Sequence, residues 1–202
     1  MVDVTKETTA DGRVVRGERN RQAIADALLA FYDEGEFRPS AAQIAQRAGI
    51  SVRSVHNHFD DMESLRAEVA ERQWARYSKF VRLPPVEFPV IERLRLIIER
   101  RTALYEAITP VRRAALLMVH ESPAVANGLD RLNRFLRRQI EKLFQPELAG
   151  RPVEVLDAID VCLSWDAWDR LRSKQRLGIT AARRVLTSTV LALLAPEGVR
   201  SE

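Results

Sequence analysis

Apolar residues in this chain recur at intervals of three and four almost throughout, and no run alternates with the period of two that a half-buried strand needs. The expectation is therefore an all-α fold. Gly and Pro act as punctuation. Ile24, Ala25, Leu28, Phe31 and Tyr32 form one helical stripe that runs up to Gly35. Ser40 and Gln43 have the Ser-x-x-Gln spacing of a capping box, which opens a short helix over 41–48 that Gly49 closes. A second short helix is expected over 52–59. Asp60-Asp61 then form an acidic start for a longer helix through Leu65, Val69, Trp74 and Tyr77. Pro84-Pro85 interrupts the pattern, and further stripes follow over 90–108, 111–120, 123–144, 153–176 and 180–194, giving about nine helices.

Residues 1–12 lack periodicity and are expected to form a disordered tail, 13–70 a first domain and 71–202 a second, with the boundary inside the long helix near Glu71. At 202 residues the chain can bury a core without staples, and its single cysteine, Cys162, precludes an intramolecular disulfide. No apolar run reaches the roughly 18 residues of a membrane span, and the first ten residues have no signal-peptide pattern, so a cytoplasmic protein without membrane attachment is expected. All but four of the 32 basic residues are arginine, which suits bidentate contact with phosphate, although solvated helix faces can also carry them.

The segment after Ser40 narrows the function. Two short helices joined by a Gly-containing turn, with Ala45, Ala48, Ile50 and Val55 at the crossing, describe a helix-turn-helix. Its second helix pairs packing residues with side chains that can donate to bases or phosphates, and it contains no acid. Ser40, Ser51, Val52, Arg53, Ser54, His56, Asn57 and His58 are the candidate DNA-contacting residues. His56 and His58 are two apart and point to different sides of a helix, so no metal pair is expected. The chain shows no Gly-rich phosphate loop, no Glu-x-x-His pair and no cofactor motif, so an enzyme is not expected and no catalytic residue is assigned.

The stretch from Ser40 to Leu65 resembles the DNA-binding domain of the TetR family of bacterial transcription regulators, through Ser51, Ser54, Val55, His58 and Phe59. Two positions depart from the family's pattern: His56 stands where a phosphate-touching Tyr is usual, and Met62 where a Lys is frequent. Both weaken backbone anchoring, and Arg53, in place of a small residue, can supply a new contact. The resemblance implies a homodimeric, ligand-responsive repressor that binds a palindromic double-stranded operator and carries a small-molecule effector in its second domain. Two half-sites about one helical turn apart also double the contacts that one short recognition helix can make. The alternative is a helical protein-binding adaptor with weakened DNA affinity.

In the second domain Tyr105, His120, Asp160 and Ser164 are the candidate effector contacts. Asp157, Asp160 and Ser164 fall on one line at helical spacing; buried, they would suit a cationic or hydroxylated ligand, and solvated they are only a polar face. Trp165, Trp168, Leu186, Val190 and Leu194 are the candidate dimer interface, because the last two helices carry more apolar residues than one core face can hide. For the two tryptophans a place in the chain's own core is the competing expectation.

Overall fold

The computed structural model describes residues 5–78 and 82–195, with side chains from 14 to 77 and from 82 to 195. Every regular element among the described residues is helical: α1 (Thr5–Asp33), α2 (Ala41–Ala48), α3 (Val52–His58), α4 (Met62–Ser78), α5 (Val90–Met118), α6 (Pro123–Leu143), α7 (Gln145–Leu148), α8 (Val153–Cys162), α9 (Trp165–Asp169) and α10 (Ile179–Leu194). A π-helical turn over Arg170–Lys174 continues α9.

The chain divides into two compact units, one of Met1–Gln73 with Pro110–Gly128, the other of Trp74–Thr109 with the chain from Leu129 onward. The first unit buries Ile24 and Leu28 of α1, Ile44 of α2, Val55 of α3 and Leu65 of α4, together with Ala114 and Met118 of α5. Arg21 on α1 pairs with Glu68 on α4 at 2.7 Å, and Arg72 bonds the same carboxylate. The Arg21 guanidinium holds the Glu68 carboxyl below the usual carboxylate range. Gly128 of α6 lies so close to α4 that an added Cβ would stand 3.3 Å from the Ala70 Cβ.

The core of the second unit is built on Leu94, Ile98 and Tyr105 of α5, Leu136 and Ile140 of α6, Trp168 of α9, and Leu186 and Val190 of α10. Trp74 meets Phe135 edge to face at 5.1 Å. Arg93, also buried, is closed by Glu147 and by the Leu143 carbonyl.

Several expectations are corrected. Helix α1 begins at Thr5, so it takes in most of the segment expected as a tail; each residue added to a formed helix gains a backbone hydrogen bond, and extension is cheap once the nucleus exists. The stripes over 90–108 and 111–120 are one helix, α5, that runs through Pro110. Proline removes one amide donor there, and the Thr109 hydroxyl bonds the Tyr105 carbonyl at 2.6 Å beside the interruption. Packing on both sides of the proline, at Ile108 and Ala114, holds the helix together. Residues 110–128, expected in the second domain, cluster with the first.

Conversely, the stripe over 153–176 is broken. Ser164 takes an extended conformation and its Oγ accepts from the Ala167 amide, so it ends α8 and caps α9. Finally, Trp165, Trp168, Leu186, Val190 and Leu194 are all buried inside the protomer. α10 uses that stripe to close its own core, which leaves these side chains little surface for a second copy. The competing expectation for the tryptophans describes them.

Candidate nucleic-acid interface

Local chemistry builds α2 and α3. The Ser40 amide donates to Gln43 Oε1 at 2.8 Å and the Gln43 amide returns a bond to Ser40 Oγ, so the capping box is formed. Gly49 closes α2 at φ +69°, a left-handed conformation that L side chains rarely adopt. Two residues later Ser51 caps α3, its Oγ accepting from the Ser54 amide at 3.1 Å. Ile44, Ala45, Val55 and Phe59 are buried, which fixes the crossing of the two helices from within.

The α3 C-terminus is tied down by Arg21. Its Nη1 donates to the His58 carbonyl at 3.3 Å, and its guanidinium lies 4.7 Å from the centre of the Phe59 ring. His58 itself is half-buried, with Cε1 3.9 Å from where a Cβ would stand on Gly17 of α1. The outward face of α3 holds Val52, Arg53, His56 and Asn57, all exposed, with Ser54 half-buried. Arg53 enters no ion pair among the described residues, whereas Arg47 on α2 is held by Glu34 at 2.6 Å and stacks 3.9 Å from the Phe31 ring centre. The α3 face therefore offers a guanidinium, an imidazole, an amide and an apolar tip from one rigid helix. An Arg can bond guanine bidentately, an Asn adenine, and an apolar tip can touch a thymine methyl.

Of the eight candidate DNA-contacting residues, Ser40 and Ser51 have their hydroxyl oxygens committed to helix caps, and His58 is lodged against α1. The sequence reading assigned no role to Arg21 or Glu63, which position α3 and α4. Their partners are 37 and 59 residues away, beyond any local pattern. The Glu63 carboxylate accepts from Ser122 Oγ at 2.6 Å and from the Ala124 amide at 2.7 Å. Burial works against its charge, but these bonds outweigh it and keep its pKa below the usual range.

The four candidate effector contacts do not converge. His120 belongs to the first unit and is exposed, in the turn after α5. Tyr105 is buried in the second unit and donates to the Leu163 carbonyl at 2.6 Å. The Ser164 hydroxyl donates to the Val161 carbonyl at 2.8 Å while it caps α9. Asp160 lies 3.8 Å from Arg137, which also holds Asp157 at 2.5 Å.

No protein-family model matches the chain, and no curated protein matches it in sequence. Solved structures do match. A protein of Mesorhizobium loti MAFF303099 assigned to the TetR family of transcriptional regulators shares 20% identity at a TM-score of 0.68, over 89% of this chain and 96% of that one. A TetR-family transcriptional regulator from Streptomyces coelicolor shares 20% identity at a TM-score of 0.65, over 86% of this chain and 81% of its own. The chain has the TetR fold. The multidrug binding protein EbrR, solved with imidazole, has it too, at 16% identity and a TM-score of 0.58, over 85% of this chain and 92% of that one. Within the TetR fold as built here, α2 and α3 are the helix-turn-helix. At these identities the likeness is one of fold, and the chemistry must be read from this chain's own side chains.

Proposed function

We propose that the chain is a transcription regulator of the TetR type that binds a palindromic DNA operator as a homodimer and releases it in response to a small-molecule effector. The observation that carries this reading is the outward face of α3: Arg53, His56 and Asn57 stand exposed, without an acidic neighbour on the helix, on a segment capped at Ser51 and pinned at His58. Affinity would come from phosphate contacts and specificity from Arg53 and Asn57 at base edges. The TetR fold of the solved regulators supports the reading.

Dimerisation requires an exposed face. On α8, Val153 and Val161 are 60% and 68% exposed, and on α10, which packs against α8, Val185 is 42% exposed on a line with Ser188 and Ala192. A second copy seated on this uncharged α10 line and on the α8 valines would cover apolar surface that a lone protomer leaves in water, and would set the spacing of the two α3 helices.

A mobility-shift titration on the DNA upstream of the chain's own coding sequence, at two or more salt concentrations, tests the proposal. A specific shift that weakens steeply with salt is the expected result. Binding no tighter than to unrelated DNA would favour the protein-binding adaptor.

A further inference from the structure

Arg101 lies on α5 in the second unit with 1% of its surface exposed. Its guanidinium donates to two main-chain carbonyls, Leu163 at 3.2 Å and Leu136, and its buried Nε has no hydrogen-bond partner among the described residues. No carboxylate stands within ion-pair distance of it among the described residues. Asp160 acts on it electrostatically from beyond contact distance, and Arg137 lies 3.8 Å from the same carboxylate. Arg93, nearly as buried in the same unit, makes the contrast, since Glu147 closes it.

A guanidinium stays charged, and a buried charge with no carboxylate in contact is costly. Burial accordingly pushes the Arg101 pKa down. The break between α8 and α9 produces the site. Ser164 Oγ captures the Ala167 amide, which in an unbroken helix would bond the Leu163 carbonyl, so that carbonyl is left to Arg101 and to the Tyr105 hydroxyl. Both carbonyls have other donors: Leu163 keeps Tyr105, and Leu136 lies within the hydrogen-bond ladder of α6. A ligand oxygen can therefore take over the guanidinium and leave neither carbonyl orphaned.

We propose that Arg101 is the anchor of the effector site, and that the effector is a small organic carboxylate. Its carboxylate pairs with the Arg101 guanidinium, and its apolar body lies within the core cluster to which Tyr105, Leu136 and Leu163 belong. This rests on the effector-responsive reading above and names its ligand class. It also replaces the cationic ligand that Asp157 and Asp160 suggested, because Arg137 pairs with Asp157 and the Asp160 carboxylate already stands between the charges of Arg101 and Arg137.

The test uses the full chain without DNA, so its failure is separable from failure of the operator reading. Thermal unfolding is followed with hexanoate and benzoate, each beside the alcohol of the same skeleton, hexanol and benzyl alcohol. The expected result is a saturable rise in unfolding midpoint with at least one carboxylate, at an affinity at least tenfold above that of its alcohol. The Arg101→Met variant should lose that preference and unfold, unliganded, no earlier than wild type. Should Arg101→Met fail to fold, Arg101→Lys decides, with carboxylate affinity reduced but still above that of the alcohol. The proposal is overturned if neither carboxylate gives a saturable shift, if acid and alcohol bind alike, or if the variant that folds keeps wild-type affinity.

Discussion

Ser122 donates its hydroxyl to the Glu63 carboxylate at 2.6 Å, joining the first turn of α4 to the residue before α6 across 59 positions of sequence. The same carboxylate accepts from the Ala124 amide, one of the donors a helix N-terminus leaves without an intrahelical partner. Glu63→Ala removes both acceptors and should lower the stability of the folded chain by about 1–3 kcal/mol. Glu63→Gln keeps an acceptor and should lose less. Urea unfolding of the two variants measures the order, and equal losses would show that this junction depends on the charge and gains nothing from a neutral acceptor.

Stability should also depend on pH through Glu68. Its folded pKa is depressed, first by the bond from Arg21, so the group contributes stability above its unfolded pKa near ~4.3 and loses that contribution as pH falls through the lower folded value. Wild type should thus be more stable than Glu68→Gln at neutral pH, and the gap should narrow on acidification below about pH 4.5. Unfolding curves at a series of pH values give the comparison. A gap independent of pH would mean that packing, not ionisation, is what the substitution removes.

The helix-turn-helix was legible because its determinants are local. Ser40, Gln43, Gly49 and Ser51 lie within twelve residues, and each acts on a neighbour in sequence. Periodicity also found the apolar stripe of α10, but it could not say what covers Leu186 and Val190, because a stripe facing a core and a stripe facing a partner read alike. Pro110 misled for a related reason: a proline weakens a helix locally, and packing at Ile108 and Ala114 overrides it. Arg101 gave no signal at all. One arginine among many in a helical stripe is ordinary until the fold shows that no carboxylate meets it.

Operator binding should discriminate among the residues of α3. Arg53 is exposed and unpaired among the described residues, so Arg53→Ala should cost roughly 1–3 kcal/mol and relax specificity at one base pair. His56→Tyr supplies a phenolic donor on the same face and should bind at least as tightly as wild type. Arg21→Ala acts differently: it frees the His58 carbonyl and unseats α3, so stability should fall along with affinity. Titration of a labelled operator, paired with thermal unfolding, separates the classes. Equal operator affinity for wild type and Arg53→Ala would remove Arg53 from the contact set.

Neighbouring residues of α10 should respond in opposite ways to the same substitution. Leu186 is 4% exposed in the second unit's core, so Leu186→Glu buries a carboxylate without a partner and should destabilise the fold by several kcal/mol, on the order of 3 or more. Val185 is 42% exposed on the adjoining face, and Val185→Glu should leave the unfolding midpoint of the protomer nearly unchanged. If a second copy covers the α8 and α10 faces, a glutamate at 185, reinforced by Val161→Glu on α8, sets like charges and unsolvated carboxylates into the contact. The double variant should then run as a folded monomer in light scattering at micromolar concentration, where wild type should run as a dimer. Its operator affinity should fall steeply although α3 is untouched, since two half-sites can no longer be held at a fixed spacing. A double variant that remains dimeric with full operator affinity would place the partner contact elsewhere on the chain.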